Sequence, residues 1–431
     1  MILLLVHILL VITILHKMPL FRNSGIITPY WAVLLALKVI VGYALIVYYD
    51  ARYEGSDMRG YLEGAETVYR IFLENPMEGI RLFTGFTLSP GTINRLNEQV
   101  PIWFGRPCSG WFNDTRTVIK IQSVLRFVSD GNIWIHLLWT NLAALVGGIA
   151  LIRFFIPLAQ KETIPLPAIC LLFIPNGLLW ASTILKEPFL LLAIGITLSA
   201  YRNCLISGFT SYQWPLFLSL LLFLVIKPFW LMALVPGLVA WGLYRQRSHA
   251  SLAVAGSYLI VLLLAMAAGI ISPDLHLPSL LFGEQRNMWR FSIFGGAGSL
   301  IDPVGFAPTW ISVFKHIPET FLLTMSQPVP SGWNDWAGWF LFTENILFSI
   351  LLLMVILRRG SLGRIWSSPS LLLACLAGII IVLVSGFTTP VAGTLIRYRW
   401  PGVLLILLAL FTAWLNGRSG SIPDAVDKRA D

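Results

Sequence analysis

Charge is scarce in this chain. Only 12% of its 431 residues are Asp, Glu, Lys or Arg, against about a quarter in soluble domains. That is too little polar material to cover a water-facing surface, which argues against a soluble globular protein. Cysteine is sparse as well. Cys108, Cys170, Cys204 and Cys375 are scattered, with no CxxC pair and no nearby histidine, so neither a zinc site nor a disulfide framework is indicated. There is no internal repeat and no low-complexity tract. The opening run MILLLVHILLVITIL lacks a basic leader and an A-x-A site. It reads as a retained helix rather than a signal peptide.

What the chain has instead is apolar length. It is 57% hydrophobic, with a mean hydropathy of +0.77, and a bilayer span needs about 20 apolar residues. Candidate spans lie at 1–16, 29–49, 133–157, 163–182, 184–201, 212–227, 229–244, 251–272, 337–357, 368–386 and 398–416. The expected fold is an all-α integral membrane protein with about eleven transmembrane helices. It divides into N-terminal helices (1–49), a first outer loop (50–132), central helices (133–272), a second outer loop (273–336), C-terminal helices (337–416) and a tail (417–431). The net charge of +9 lies largely in short loops, where it fixes topology rather than binding nucleic acid. With eleven spans, Lys17, Arg22, Arg153, Lys161, Arg202, Arg245, Arg247, Arg358, Arg359 and Arg364 all fall on one side. That side is read as the cytoplasm, with both long loops outside.

The first outer loop reads as amphipathic surface helices. SDMRGYLEGAETVYRIFL sets Leu62, Ala65, Tyr69 and Phe72 at helical spacing. TRTVIKIQSVLRFV does the same with Val118, Ile121, Val124, Leu125 and Val128.

Ionisable residues at span ends are the candidates for chemistry, because charge in a bilayer costs roughly 2.5–3.5 kcal/mol per group on insertion scales. Asp50, Glu54 and Asp57 follow the second span. They are either solvated caps at a helix start or a general base or cation ligand at the membrane surface. Lys186 and Glu187 sit in PNGLLWASTILKEPF, and Lys227 precedes Pro228 in FLVIKPFWLMAL. Each lysine is either a snorkelling anchor or a ligand for an anionic headgroup. Arg397 and Arg399 enter the last span in LIRYRWPGV, as interfacial anchors or as bidentate phosphate ligands. One carboxylate among several cations suits transfer from a lipid phosphate. The cations neutralise the leaving group and the carboxylate takes a proton from the acceptor.

Three stretches carry a resemblance. SDMRGYLEGA opens the first outer loop soon after an early span, WASTILKEP is similar to a W-S-x-x-x-K-E run of bacterial polysaccharide-assembly membrane proteins, and RYRWPGVLLILLAL is similar to an Arg-x-Arg-x-Pro entry to a late span. The chain thus resembles the GT-C class of integral-membrane glycosyltransferases. The resemblance implies a polyprenyl-linked sugar donor, a glycan, lipid or protein acceptor, and a bacterial plasma membrane with the active site facing the periplasm or exterior. It implies Asp57, Glu54 or Asp50 as the base and Lys186, Lys227, Arg397 and Arg399 at the donor phosphate. Tyr61, Glu187, Arg286, Arg290 and His316 are further substrate-binding candidates. No cofactor is required, although the three acidic residues suit Mg²⁺ or Mn²⁺. The chain departs from the class in the spacing of Glu54 and Asp57, in an extra N-terminal span and in its short polar tail.

The alternatives are a polysaccharide polymerase or O-antigen ligase with the same cationic pocket, a transporter or flippase, and a membrane protease or sortase-like transpeptidase using Cys108 with His316. Nothing in the sequence links that last pair. A transporter should carry charged or broken mid-span positions in matched halves, and the mid-span positions are expected to be nearly all apolar.

Overall fold

The computed structural model describes residues 2–52, 56–100, 103, 113–156, 164–208, 212–245, 247, 249–294, 299–332 and 335–415. They form two compact units, one of residues 1–169 and 177–231, the other of 170–176 and 232–431. Among the described residues the structure is helical, and the β pairing is an isolated antiparallel bridge between Leu300 and Val391.

The first unit holds α1 (Ile2–Lys17), α2 (Pro19–Arg22), α3 (Thr28–Arg52), α4 (Asp57–Glu74), α5 (Pro76–Thr84), α6 (Pro90–Gln99), α7 (Asp114–Ser129) and α8 (Ile133–Phe155). After α9 (Leu166–Leu172) and α10 (Pro175–Trp180) come α11 (Glu187–Ser207) and α12 (Gln213–Ile226). At its heart α8 and α11 run parallel. A Cβ on Gly195 would fall 1.9 Å from the Gly147 carbonyl oxygen, so only glycine lets the backbones approach this closely. Forty-eight residues separate Arg202 from Phe154, whose carbonyl accepts its Nη1, and the same offset relates Gly195 to Gly147. Two parallel spans need a return path between them. It begins at Ile164, whose N–H donates to Ser24 at 3.0 Å, and ends at Ser182 beside Asn141 of α8.

These contacts fix two ends of the first unit. One holds Leu20, which accepts from Arg153 at 3.0 Å, with Ser24, Phe154 and Arg202. The other holds Tyr43, stacked on Trp134 with ring centroids 4.2 Å apart, the start of α8, Lys186 and the end of α12. The amphipathic helices α4–α7 lie at this second end.

The second unit takes in α13 (Pro228–Tyr244), which begins in the first, then α14 (Ala250–Ile271), α15 (Leu277–Phe294) and α16 (Trp310–Ser326). It ends with α17 (Trp336–Leu357), α18 (Ser361–Ser367), α19 (Pro369–Thr388) and α20 (Ala392–Leu415). Helices α19 and α20 cross antiparallel at Gly378 and Gly402. A Cβ on either would meet the other's carbonyl oxygen at 2.7 Å. Helix α17 runs parallel to α20: Asn345 meets Arg399, and Arg358 caps the Trp414 carbonyl.

Seven described helices are long and apolar enough to cross a membrane: α3, α8, α11, α14, α17, α19 and α20. This is the character of a multi-pass membrane protein. The other four expected spans are shorter. The 1–16 segment forms the 16-residue α1. The 212–227 and 229–244 segments form helices of 14 and 17 residues separated at Lys227. The 163–182 segment is not one helix; Pro175 opens α10 after a break, and a turn follows Trp180.

The amphipathic pair also has a face packed into the unit. Helix α4 buries Met58, Tyr61, Ala65, Val68 and Ile71. Helix α7 buries Val118, Ile119, Gln122 and Ser123, while Val124, Phe127 and Val128 are exposed. Polar partners inside the unit draw Gln122 inward. His136 Nδ1 lies 2.7 Å from its Oε1, and its Nε2 donates to Thr140 at 3.2 Å.

Candidate functional site

The site lies at the second end of the first unit. Asn113 caps α7 by accepting from the Arg116 N–H at 3.0 Å, which makes Asp114 the first helical residue. A carboxylate there suits the helix dipole. Its Oδ1 accepts from the Thr115 N–H at 2.9 Å. Its Oδ2 receives two ammonium groups, Lys186 at 2.6 Å and Lys227 at 2.9 Å. Lys186 stands immediately before α11 and Lys227 immediately after α12. Thr117 ties α7 to α12 by donating to the Val225 carbonyl at 3.2 Å.

Three-quarters of the Asp114 side chain is shielded from solvent. Burial pushes its carboxyl up, but the attraction of Lys227 and Lys186 outweighs burial and holds it well below the usual carboxylate range. The carboxyl is therefore ionised at neutral pH. Two amines thus converge on one carboxylate oxygen where water reaches poorly, a grouping suited to an anionic ligand.

The turn leading to Lys186 is built for its place. Residues 181–186 leave the helical pattern while fully buried, so their backbone needs internal partners. Asn141 donates to the Ser182 carbonyl at 2.8 Å, and Lys38 donates to the Ser182 hydroxyl at 2.9 Å. A Cβ on Gly42 would lie 1.9 Å from the Ser182 oxygen. Helices α3 and α8 thus grip the turn from two sides.

Asp57 opens α4 after its cap Ser56, which accepts from the Arg59 N–H at 3.3 Å. It is exposed, as is Asp50, whose Oδ1 accepts from Ser56 at 3.1 Å. Glu54 lies outside the described residues, as does Cys108. Gly64 packs on Ile119 and Tyr69 on Phe127, so α4 and α7 run parallel and their N-termini share one end. Tyr61 and Glu187 are buried.

In the second unit Arg399 is fully buried. Its Nη2 donates to Asn345 Oδ1 at 2.7 Å and its Nη1 to the Thr324 carbonyl. Glu344, 1% exposed, accepts from the Asn176 N–H at 3.2 Å and attracts Arg399. Arg397 is half-buried. Arg286 and Arg290 line a cavity of about 180 Å³ with Trp289 and Pro303. His316 Nδ1 bonds to the Ser312 carbonyl at 2.7 Å.

Three functional candidates escaped the sequence reading. Asp114 looks like an ordinary cap in FNDTRTV. Lys38 and Glu344 lie within α3 and α17, so the spans are not as uniformly apolar as expected. A single charge inside an apolar window is the signal that points to them. Among the described residues no group of three or more His, Cys, Asp or Glu is placed to hold a metal ion. No family model matches the chain, and comparison with curated proteins and with solved structures gives no match either.

Proposed function

We propose that this chain is a membrane glycosyltransferase of GT-C type, taking a sugar from a polyprenyl-phosphate or polyprenyl-pyrophosphate carrier. The observation that carries the reading is the meeting of Lys186 and Lys227 on one oxygen of Asp114. Asp114 keeps the two amines gathered until a donor phosphate takes over their contacts. In the transfer, the acceptor oxygen bonds to the anomeric carbon. The bond from that carbon to the carrier phosphate oxygen breaks, and the phosphate leaves with the electron pair, stabilised by the lysines. The acceptor proton goes to a carboxylate. Asp57 is the first candidate because it is exposed at the lysine end of the unit, with Asp50 and Glu54 behind it.

In this reading the phosphate rests on lysines rather than on Arg399, whose terminal nitrogens are committed within the second unit. The charge is supplied by the protein, so the reaction calls for no metal, and activity in EDTA tests that. Lys17, Arg22, Arg153 and Arg202 belong to the opposite end of the first unit. By the positive-inside preference that end is cytoplasmic, and the lysine pair faces the periplasm or exterior of a bacterial plasma membrane.

The test is transfer by the purified protein in nanodiscs, with monosaccharide donors on polyprenyl phosphate and pyrophosphate. Wild type should transfer, and Lys186→Met and Lys227→Met should each lose roughly a hundredfold, the scale of one transition-state charge contact. Preference for a lipid-linked repeat unit would move the assignment to a polymerase or ligase. Folded protein that transfers from neither donor would end this reading.

A second reading, a transporter, is favoured by the buried Glu344–Arg399 pair and by Lys38 inside spans. Sugar-lipid movement across proteoliposomes without any transfer would support it.

A further inference from the structure

At the far end of α7 from Asp114 the first unit holds a cavity of about 630 Å³ between α4, α6, the end of α7 and the start of α8. This lies within the roughly 300–1,000 Å³ of small-molecule sites. Its lining is charged but balanced, with Arg70, Arg95 and Arg126 facing Glu63, Glu66 and Asp130. The pairing is specific. Glu66 accepts from Arg70 Nε at 2.7 Å and from Arg126 Nε, and Arg95 grips Glu74 at 2.5 and 3.2 Å.

These pairs leave polar capacity on both sides. Arg70 spends only Nε on Glu66, and Arg126 spends Nε and Nη1, the latter 3.5 Å from Asp130. Glu63 uses one oxygen on Arg59, and Gln99 uses its oxygen on Arg95 at 3.3 Å. The cavity thus offers N–H donors and carboxylate acceptors together. An anion meets acceptors that repel it, and a cation meets guanidinium groups. A hydroxyl both donates and accepts, and adjacent hydroxyls engage planar guanidinium and carboxylate edges in pairs.

The recess is also shaped for Arg126. Gly131 has φ +71°, and a Cβ there would lie 2.9 Å from the Arg126 guanidinium carbon. Behind it the Gly131 N–H donates to Ser129 at 3.2 Å. Ser129 meets His136 Nε2 at 2.8 Å, and His136 meets Gln122 at 2.7 Å. This buried chain fixes the turn that carries Asp130 and Gly131.

We propose that this cavity binds a neutral, hydroxyl-rich ligand, a short saccharide. Its use as the acceptor site rests on the transfer reading above; the binding itself does not. The test is saturation-transfer NMR and calorimetry on the full chain in nanodiscs, with neutral hexose oligomers of two to four units, uronic-acid oligomers and inorganic pyrophosphate. The neutral oligomers should bind saturably and the two anionic probes should not compete. Arg126→Gln should weaken binding roughly tenfold or more, as loss of a charge-assisted hydrogen bond does. Gln99→Ala, an exposed change that leaves the packing alone, should weaken it by a smaller factor. Saccharide binding without any sugar transfer supports this inference and counts against the transferase alone. No binding by any neutral oligomer, preference for the anionic probes, or unchanged binding in both variants overturns it.

Discussion

Lys186 brings its ammonium group 2.6 Å from the carboxylate of Asp114, 72 residues earlier in the chain. The contact locks the head of α11 to the head of α7, and it explains why an ordered turn at 181–186 is needed. Replacing Asp114 by Ala leaves two shielded ammonium groups facing each other. The expected cost is about 2–3 kcal/mol, somewhat below a fully buried pair because a quarter of the carboxylate side chain meets solvent. Thermal unfolding in detergent measures it. Pairing Asp114→Ala with Lys186→Met should recover part of the loss, whereas strict additivity would mean the two groups are not coupled.

The same carboxyl predicts a pH window. Burial raises it, but Lys227 and Lys186 lower it more, so its folded value lies below the unfolded value near 4. Its stabilising contribution is complete above about pH 4 and lost as the pH falls further. The stability difference between wild type and Asp114→Asn should stay constant from pH 8 to about 5 and shrink below about 4. A difference that changes around neutrality would contradict this assignment.

Lys120 gives a rise of the same sign in an alkaline window. Burial, helped by nearby Arg116, lowers its ammonium to about 8, while Nζ donates to the Phe83 carbonyl at 3.2 Å. The folded state gives up this proton before the unfolded chain does, so stability should rise with pH between about 8 and 10.5. Lys120→Met should abolish that rise. A titration of melting temperature in both proteins decides it.

Gly195 and Gly363 should respond oppositely to alanine. At Gly195 the new methyl would sit 1.9 Å from the backbone oxygen of Gly147, and separating α8 from α11 should cost about 3 kcal/mol or lose folded protein altogether. At Gly363, in α18, a Cβ meets nothing within 4 Å, and alanine should stabilise by about 0.5–1 kcal/mol. Yield and melting temperature of the two variants are the readout.

Arg399→Lys should be poorly tolerated although it keeps the charge. A lysine cannot reach the Thr324 carbonyl and Asn345 with a fixed planar pair of donors, and a buried charged hydrogen bond is worth about 1.5–3 kcal/mol. A melting temperature within error of wild type would show that the charge alone matters.

Much of the frame was legible because it is written in apolar length. Helices α3, α8, α14, α17 and α19 fall close to their expected bounds, since one uninterrupted run decides each. The 163–182 segment was misjudged because composition cannot distinguish a continuous span from a broken path whose polar needs are met by Asn141 and Lys38, far away in sequence. Lys186 and Lys227 stood out as charges between apolar runs. Asp114 did not, because its role depends on α12 returning beside α7. The inward face of α7 was not legible for a similar reason: hydrophobicity marks an apolar stripe, but the interior that receives Gln122 is lined by His136 and Thr140.

Arg153 and Arg202 each close off a carbonyl of another helix in the first unit, as Arg358 and Arg364 do in the second, at Trp414 and Ala413. A guanidinium in such a place carries two messages to the bilayer. Its charge resists crossing, and its planar head seals the frayed end of a neighbour. Lysine would preserve the first and forfeit the second, so orientation and rigidity can be separated by exchanging one base for another.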